Sequence, residues 1–303
     1  MTYRQMISPP THVKPSHFND SKLTAIKTHY SFLPFICSFL LRKKKMGRDL
    51  ALFLCFSILL VRSAVADWNI LNQRIWKNNN GLKITLKNYC EAWRINVELH
   101  NIRNFEFVPE ECTDYIGKYM SSTQYKVDSE MALEECTIYL SNTFTLTGDG
   151  QDAWVFDVDD TLLSNVPYFK IHSNGGEKFN ITSFEEWVRK RKAPALEHTL
   201  NLFNEIKGKG IKIFLISSRG EHLRDATIDN LFKVGYSGWH GLILRSDEDN
   251  CKTMQQYKAE QRKLLMTKGY RIWGMIGSQW SSLLGLPSPR RTFKLPNSLY
   301  YEP

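Results

Sequence analysis

One apolar run in this chain ends in three carboxylates and a threonine: Trp154-Val155-Phe156-Asp157-Val158-Asp159-Asp160-Thr161. Asp157 and Asp159 are two residues apart, so in an extended chain they share one face. The chain must also turn within this stretch, which aims both side chains into one crevice. Carboxylates held that close raise each other's cost of ionising unless a cation or a division of labour relieves it. The division that suits an Asp-x-Asp-x-Thr pattern is nucleophilic attack by Asp157 and proton transfer by Asp159. A purely structural reading also exists, in which the acidic residues form an Asx-type turn capping the next helix.

The elements around this stretch decide what it can meet. The apolar run reads as a buried strand, and ligands bind beyond the C-terminal ends of strands in open α/β sheets. Further buried strands follow at Ile211–Ile216, Gly241–Leu244 and Arg271–Ile276, with a fifth expected over Arg291–Leu295. Helical patterns alternate with them, one from Pro194 to Gly208, one from the Ser217-Ser218-Arg219-Gly220 tip to Val234, and one from about Thr253 to Gly269. The fold class is therefore α/β, with a doubly wound, Rossmann-like parallel sheet whose polar tips share one rim. Ser217, placed between a strand and a helix N-terminus, could bond a phosphate oxygen, although Ser is also a common N-cap. Lys258, taken alone, reads as a surface lysine.

Residues 67–150 read as mainly helical, with a short helix over Cys112–Met120 and a longer one starting at Asp128. Ala132, Cys136, Tyr139, Leu140 and Phe144 make its apolar stripe. The segment 162–208 is an insertion of loop and helix, with Ser183-Phe184-Glu185-Glu186 as a capping box. It is either a small cap over the sheet edge or an ordinary crossover with a long loop.

The charge of +9 is concentrated in residues 1–66, which hold 10 Lys/Arg against 2 Asp/Glu; the remainder holds 30 against 29 and has no electrostatic case for nucleic acid. From Met46, a basic n-region, the apolar run Leu50–Val61 and Ala64-Val65-Ala66 form a secretory signal with Asp67 as the mature start. A signal anchor is the rival, because Ser31–Leu41 is also apolar. Residues 1–45 read as an upstream extension, or as a transit-peptide-like leader, with the true start at Met1 or Met46. In an oxidising compartment Cys90, Cys112, Cys136 and Cys251 allow three pairings, of which Cys90–Cys112 is favoured by loop length, with a zinc site as the weaker rival. Asn180-Ile181-Thr182 is a glycosylation sequon in the mature chain.

Taken together, the polar tips resemble the four motifs of the haloacid dehalogenase superfamily. The match is closest to its subfamily IIIB acid phosphatases, the plant acid phosphatase and vegetative storage protein family, over residues 67–303. The stretches Trp93-Arg94-x-Asn96-Val97-Glu98-x-His100-Asn101, Tyr257-Lys258, Gly277-x-Gln279-Trp280 and Phe293-Lys294-Leu295-Pro296-Asn297 carry it beyond the catalytic set. The resemblance implies Asp157 as nucleophile, Asp159 as general acid/base, and Thr161, Ser217, Ser218 and Lys258 around the substrate phosphate. It implies a magnesium ion held by Asp157, the Asp159 backbone carbonyl and the fourth motif. That motif reads Gly-Asp-Gln-Trp-Ser-Asp in the family and Gly277-Ser278-Gln279-Trp280-Ser281-Ser282 here, so Ser278 is a degenerate metal position and Ser282 a second lost carboxylate. Magnesium prefers carboxylate oxygen, so weak or absent binding is expected; Asp247 and Asp249 are candidate substitutes. Two functions follow: a secreted or vacuolar phosphomonoesterase, impaired at its metal site, or a non-catalytic storage-type glycoprotein of the same fold. The expected partner is a small phosphomonoester. Nucleic acid is not expected, nor a membrane once the leader is cleaved; a homodimer is an allowed assembly.

Overall fold

The computed structural model describes residues 75–77, 81 and 83–303. The leader, its cleavage site and the upstream extension lie outside these residues. Lys83–Thr85 pairs antiparallel with Ile75–Lys77, so the described chain opens with a hairpin, β1 and β2, where helix was expected. The β-branched residues Ile84 and Thr85 favour that pairing. Thr85 then caps α1 (Leu86–Glu98) by accepting the Asn88 N–H.

Helices α2 (Thr113–Met120) and α3 (Thr123–Asn142) follow. α3 begins ahead of the expected Asp128, because Ser122 supplies the cap for the Tyr125 N–H. Asp128 instead accepts from the Tyr119 hydroxyl at 2.7 Å. The Leu133, Cys136, Tyr139 and Leu140 face of α3 is buried against the sheet. Cys90 and Cys112 form a disulfide that ties α1 to the start of α2, while Cys136 is free and buried and Cys251 is free and exposed.

The central strand, β3 (Asp152–Phe156), is buried along its whole length. Its start is fixed by Asp152, which accepts from Arg271 Nε at 3.0 Å and Trp273 Nε1 at 2.8 Å. After β3 come α4 (Val166–Ile171), α5 (Ile181–Arg189) and α6 (Glu197–Gly208). α5 is capped by the Asn180 side chain rather than by the Ser183 box. The segment 162–208 divides by role. Leu202, Phe203 and Ile206 of α6 bury in the sheet core like any crossover helix. Residues Asn165 to Glu185 lie over the sheet rim and line a cavity there.

The remaining elements are β4 (Lys212–Gly220), α7 (Arg224–Lys233), β5 (Gly241–Arg245), α8 (Met254–Thr267), β6 (Arg271–Gly277), α9 (Trp280–Leu283) and β7 (Arg291–Lys294). The five strands β3–β7 are parallel, in the order β5-β4-β3-β6-β7. This is the doubly wound sheet, with β3 at its centre and connections running to both sides. Gly274 is required where it stands: a Cβ there would meet the Trp154 ring at 2.2 Å. Among the described residues no helix is long and apolar enough to cross a membrane.

Candidate active site

The register of the sheet brings the polar tips together. Phe156 pairs with Leu215 on one side and Ile276 on the other, so the residues just beyond each strand face one crevice. Asp157, Asp159, Asp160, Thr161, Ser217, Arg219, Lys258, Ser278 and Ser282 are all buried there.

Asp157 continues β3, donating its N–H to the Ile276 carbonyl at 2.9 Å. Its Oδ2 accepts from Lys258 Nζ at 3.1 Å and from Ser282 Oγ at 2.6 Å, and Ser282 Oγ in turn accepts from Lys258 at 2.9 Å. Lys258 sits in the first half of α8, capped by the Thr253 and Gln256 box. It is 1 % exposed, so the surface reading of this lysine is wrong. Arg262, one turn on and on the same face, braces the Ser282 carbonyl at 2.7 Å. Burial would lower the Lys258 ammonium, but the Asp157 and Glu302 carboxylates push it up to about 12. Burial pushes Asp157 upward, against the pull of Lys258.

Asp159 turns the other way, towards β4. Arg219 holds it with Nε at 3.2 and 3.1 Å and Nη2 at 2.8 Å, and Asn165 Nδ2 donates at 2.7 Å. Burial would raise this carboxyl, but the Arg219 charge and these hydrogen bonds hold it below its usual range. Ser217 reaches Asp159 Oδ2 only at 3.5 Å and accepts the Arg219 N–H at 3.2 Å. β4 runs on through Gly220 and α7 begins only at Arg224, so Ser217 does not stand at a helix N-terminus, and the helix-end N–H groups expected beside it are not there. The Ser218 hydroxyl is buried without a hydrogen-bond partner and Ser218 lines the cavity.

Asp160 adopts φ 49°, a left-handed conformation that Asp tolerates and that turns the chain back after the strand. Its Oδ1 accepts the Asn165 N–H at 2.8 Å, and burial pushes its carboxyl up to about 7. Thr161 Oγ1 accepts the Ser278 N–H at 3.0 Å, tying the first strand tip to the fourth.

The donors implied for magnesium are Asp157 Oδ1, the Asp159 carbonyl and Ser278 Oγ. Only the first is anionic. Ser278 donates its proton to the Asp159 carbonyl at 3.0 Å, so the hydroxyl already occupies the oxygen a cation would use. Among the described residues no group of three or more His, Cys, Asp or Glu could hold a metal ion. This donor set does not fit a hard, near-octahedral cation. Asp249 does not repair it: its carboxylate bonds Ser246 and Lys252 within its own loop.

Sequence reasoning missed four residues. Arg219 was legible, since alternation on a strand places it on the same face as Ser217. Asn165 and Asp160 depend on the turn. Glu302, whose Oε2 accepts from Lys258 at 3.0 Å, carries no signal in the sequence at all. It lies in the irregular stretch after β7, docked by Gln279, whose Nε2 donates to the Tyr300 carbonyl at 3.0 Å and whose Oε1 accepts the Glu302 N–H at 3.3 Å. This stretch closes one side of a cavity of about 470 Å³ with Asp159 and Arg219 at its floor and Phe105, Phe169, Phe179 and Tyr301 among its walls.

Residues 76–303 match the family described as HAD superfamily, subfamily IIIB (acid phosphatase). The chain is similar to "Acid phosphatase 1" of Solanum lycopersicum, 43% identical over 70% of this chain and 83% of that protein. It is similar to "Vegetative storage protein 1" of Arabidopsis thaliana, 38% identical over 74% of this chain and 82% of that protein. The fold is like that of a class C acid phosphatase from Bacillus anthracis solved with tungstate bound, with a TM-score of 0.54 at 20% identity over 62% of this chain and 85% of that one.

Proposed function

Because the chain belongs to the acid phosphatases of subfamily IIIB of the HAD superfamily, we propose that it hydrolyses phosphate monoesters through an aspartyl-phosphate at Asp157, with turnover impaired by the altered fourth motif. The observation that carries the reading is the Asp157 carboxylate, 3.1 Å from a buried lysine and two residues from a second buried carboxylate that Arg219 holds at 2.8 Å.

In the first half-reaction an Asp157 oxygen attacks phosphorus and the bond to the leaving oxygen breaks, with Asp159 supplying that oxygen's proton. In the second, water attacks the phosphorus, Asp159 takes the water's proton and the bond to Asp157 breaks. Arg219 keeps Asp159 ionised, which suits the second step and hinders the first. The protonated fraction that the first step needs grows only as the medium becomes acidic, so activity should rise towards acid pH. Positive charge for the phosphoryl oxygens is left to Lys258 and Arg219, with Thr161, Ser217 and Ser218 as hydroxyl donors. Magnesium, implied by the resemblance, is expected to bind weakly, and no step is assigned to it.

The second reading is a storage-type glycoprotein without turnover, favoured by Ser278 and Ser282. We further propose a secretory route to the vacuole or cell exterior, with residues 46–66 as leader, 67–303 as the mature domain and a glycan on the exposed Asn180. Hydrolysis of an aryl phosphate at acidic pH, with a magnesium titration, separates the readings. The impaired enzyme should show low activity that Asp157→Asn lowers about 10³-fold or more. A wild type that is inert, while Ser278→Asp with Ser282→Asp gains metal-dependent turnover, would establish the storage reading.

A further inference from the structure

A lysine ammonium has three N–H donors and no acceptor. At Lys258 all three are taken inside the protein: Asp157 Oδ2 at 3.1 Å, Ser282 Oγ at 2.9 Å and Glu302 Oε2 at 3.0 Å. While these contacts stand, Lys258 has nothing to offer a phosphoryl oxygen. The three partners differ in how firmly they are held. Asp157 is an extension of the central strand, and Ser282 is buried in α9 with its carbonyl braced by Arg262. Glu302 lies in a stretch without regular secondary structure, and its side chain is 20% exposed. It is the partner that can leave. Up to Leu299 the stretch is pinned: Leu299 is buried, and its carbonyl passes so close to Gly175 that a Cβ there would sit at 2.1 Å. Beyond Leu299 the backbone is held by the Gln279 side chain and by the Pro303 carbonyl, which accepts the Met254 N–H at 2.8 Å, so displacement is confined to the Glu302 side chain.

We propose that Glu302 sets the oxyanion affinity of the site: its carboxylate occupies, on Lys258, the place a phosphoryl oxygen would take, and phosphate binds only by displacing it. The inference rests on the phosphoryl-site reading above. Its chemistry is simple competition between two anions for one ammonium, and Glu302 adds a negative charge to a cavity that Asp159 already lines. Ser281 Oγ, 3.2 Å from Glu302 Oε2, steadies the carboxylate in the competing position. A residue that acted only by docking the chain would weaken ligand binding when removed. A competitor would strengthen it.

The test is calorimetric titration of the full chain with inorganic phosphate at fixed pH and low salt. Glu302→Ala should bind at least about tenfold tighter than wild type, the effect of removing one charge-assisted competitor. Glu302→Gln keeps the shape and hydrogen-bonding reach while losing the charge, so it should fall between the two and covers the case in which the alanine loosens the stretch. In the Glu302→Ala background, Lys258→Met should abolish the gain. If a turnover assay is used beside it, KM should fall with kcat little changed. Equal or weaker binding by both Glu302 variants, with wild type still binding, overturns this inference and leaves the phosphoryl site standing. Absence of phosphate binding to wild type and to both variants overturns the two together.

Discussion

Two halves of the same crevice treat the same functional group in opposite ways. On the β6 side, Asp157 meets one ammonium and one hydroxyl, and burial pushes its carboxyl up. On the β4 side, Asp159 meets a guanidinium with two nitrogens in reach and a side-chain amide, and is held down although it too is buried. A planar fork that matches a carboxylate edge compensates desolvation better than a point charge on a flexible stem. The environments push the two carboxylates' affinities for protons apart, but in the direction opposite to the proposed roles, since a nucleophile acts ionised and a general acid protonated. The half in which the resemblance leads one to expect carboxylates at Ser278 and Ser282 is the half in which Glu302 bonds Lys258, at 3.0 Å.

The comparison can be broken by removing each cation in turn. Arg219→Met leaves Asp159 buried without its fork and should cost about 3–5 kcal/mol at neutral pH. Lys258→Met should cost less, about 1–3 kcal/mol, because burial already disposes Asp157 to take a proton in the lysine's absence. Urea denaturation of the two variants reads the difference, and an equal or reversed order would show that the two halves are not distinct.

Asp160 sharpens it further, since this third carboxylate is held by amides from Asn165 and Asn297 rather than by a cation. Its folded pKa of about 7 lies above the unfolded carboxylate value. The folded chain therefore binds an extra proton between about pH 4 and pH 7, and stability falls as pH rises through that window. Asp160→Asn cannot ionise and should remove that decline, on the order of 3 kcal/mol, in denaturation midpoints compared across the window. The smallest expected effect concerns the hydroxyls. Ser282→Ala removes a bridge at 2.6 Å to one carboxylate, whereas Ser217→Ala removes a 3.5 Å contact to the other and an acceptor for the Arg219 N–H at 3.2 Å. Thermal unfolding should show a loss of about 1–2 kcal/mol for the first and less for the second.

Much of the fold was legible. The parallel strands announced themselves as uninterrupted apolar runs, because a strand covered on both faces has no polar side. Their parallel direction followed from alternation with helices. The hairpin at Ile75–Thr85 was not legible, because two three-residue strands give too few alternations to stand out. Helix starts shifted wherever a side chain upstream made a better cap, as Ser122 and Asn180 did. The division of 162–208 between α6 in the core and the segment above the rim was equally out of reach, because both parts are amphipathic and only their packing partners differ.

The sequence by itself determined that Asp157 and Asp159 end a buried strand, that serine stands at positions 278 and 282, and that a lysine follows at the start of a later helix. These are local facts of residue type and spacing. Tertiary structure alone decided which cation each carboxylate receives, that Lys258 is buried, and that Glu302 closes its third hydrogen bond from 44 residues further along the chain. The physical reason is that desolvation and ion pairing depend on what surrounds a group in space, and those surroundings here come from strands and loops far apart in the chain.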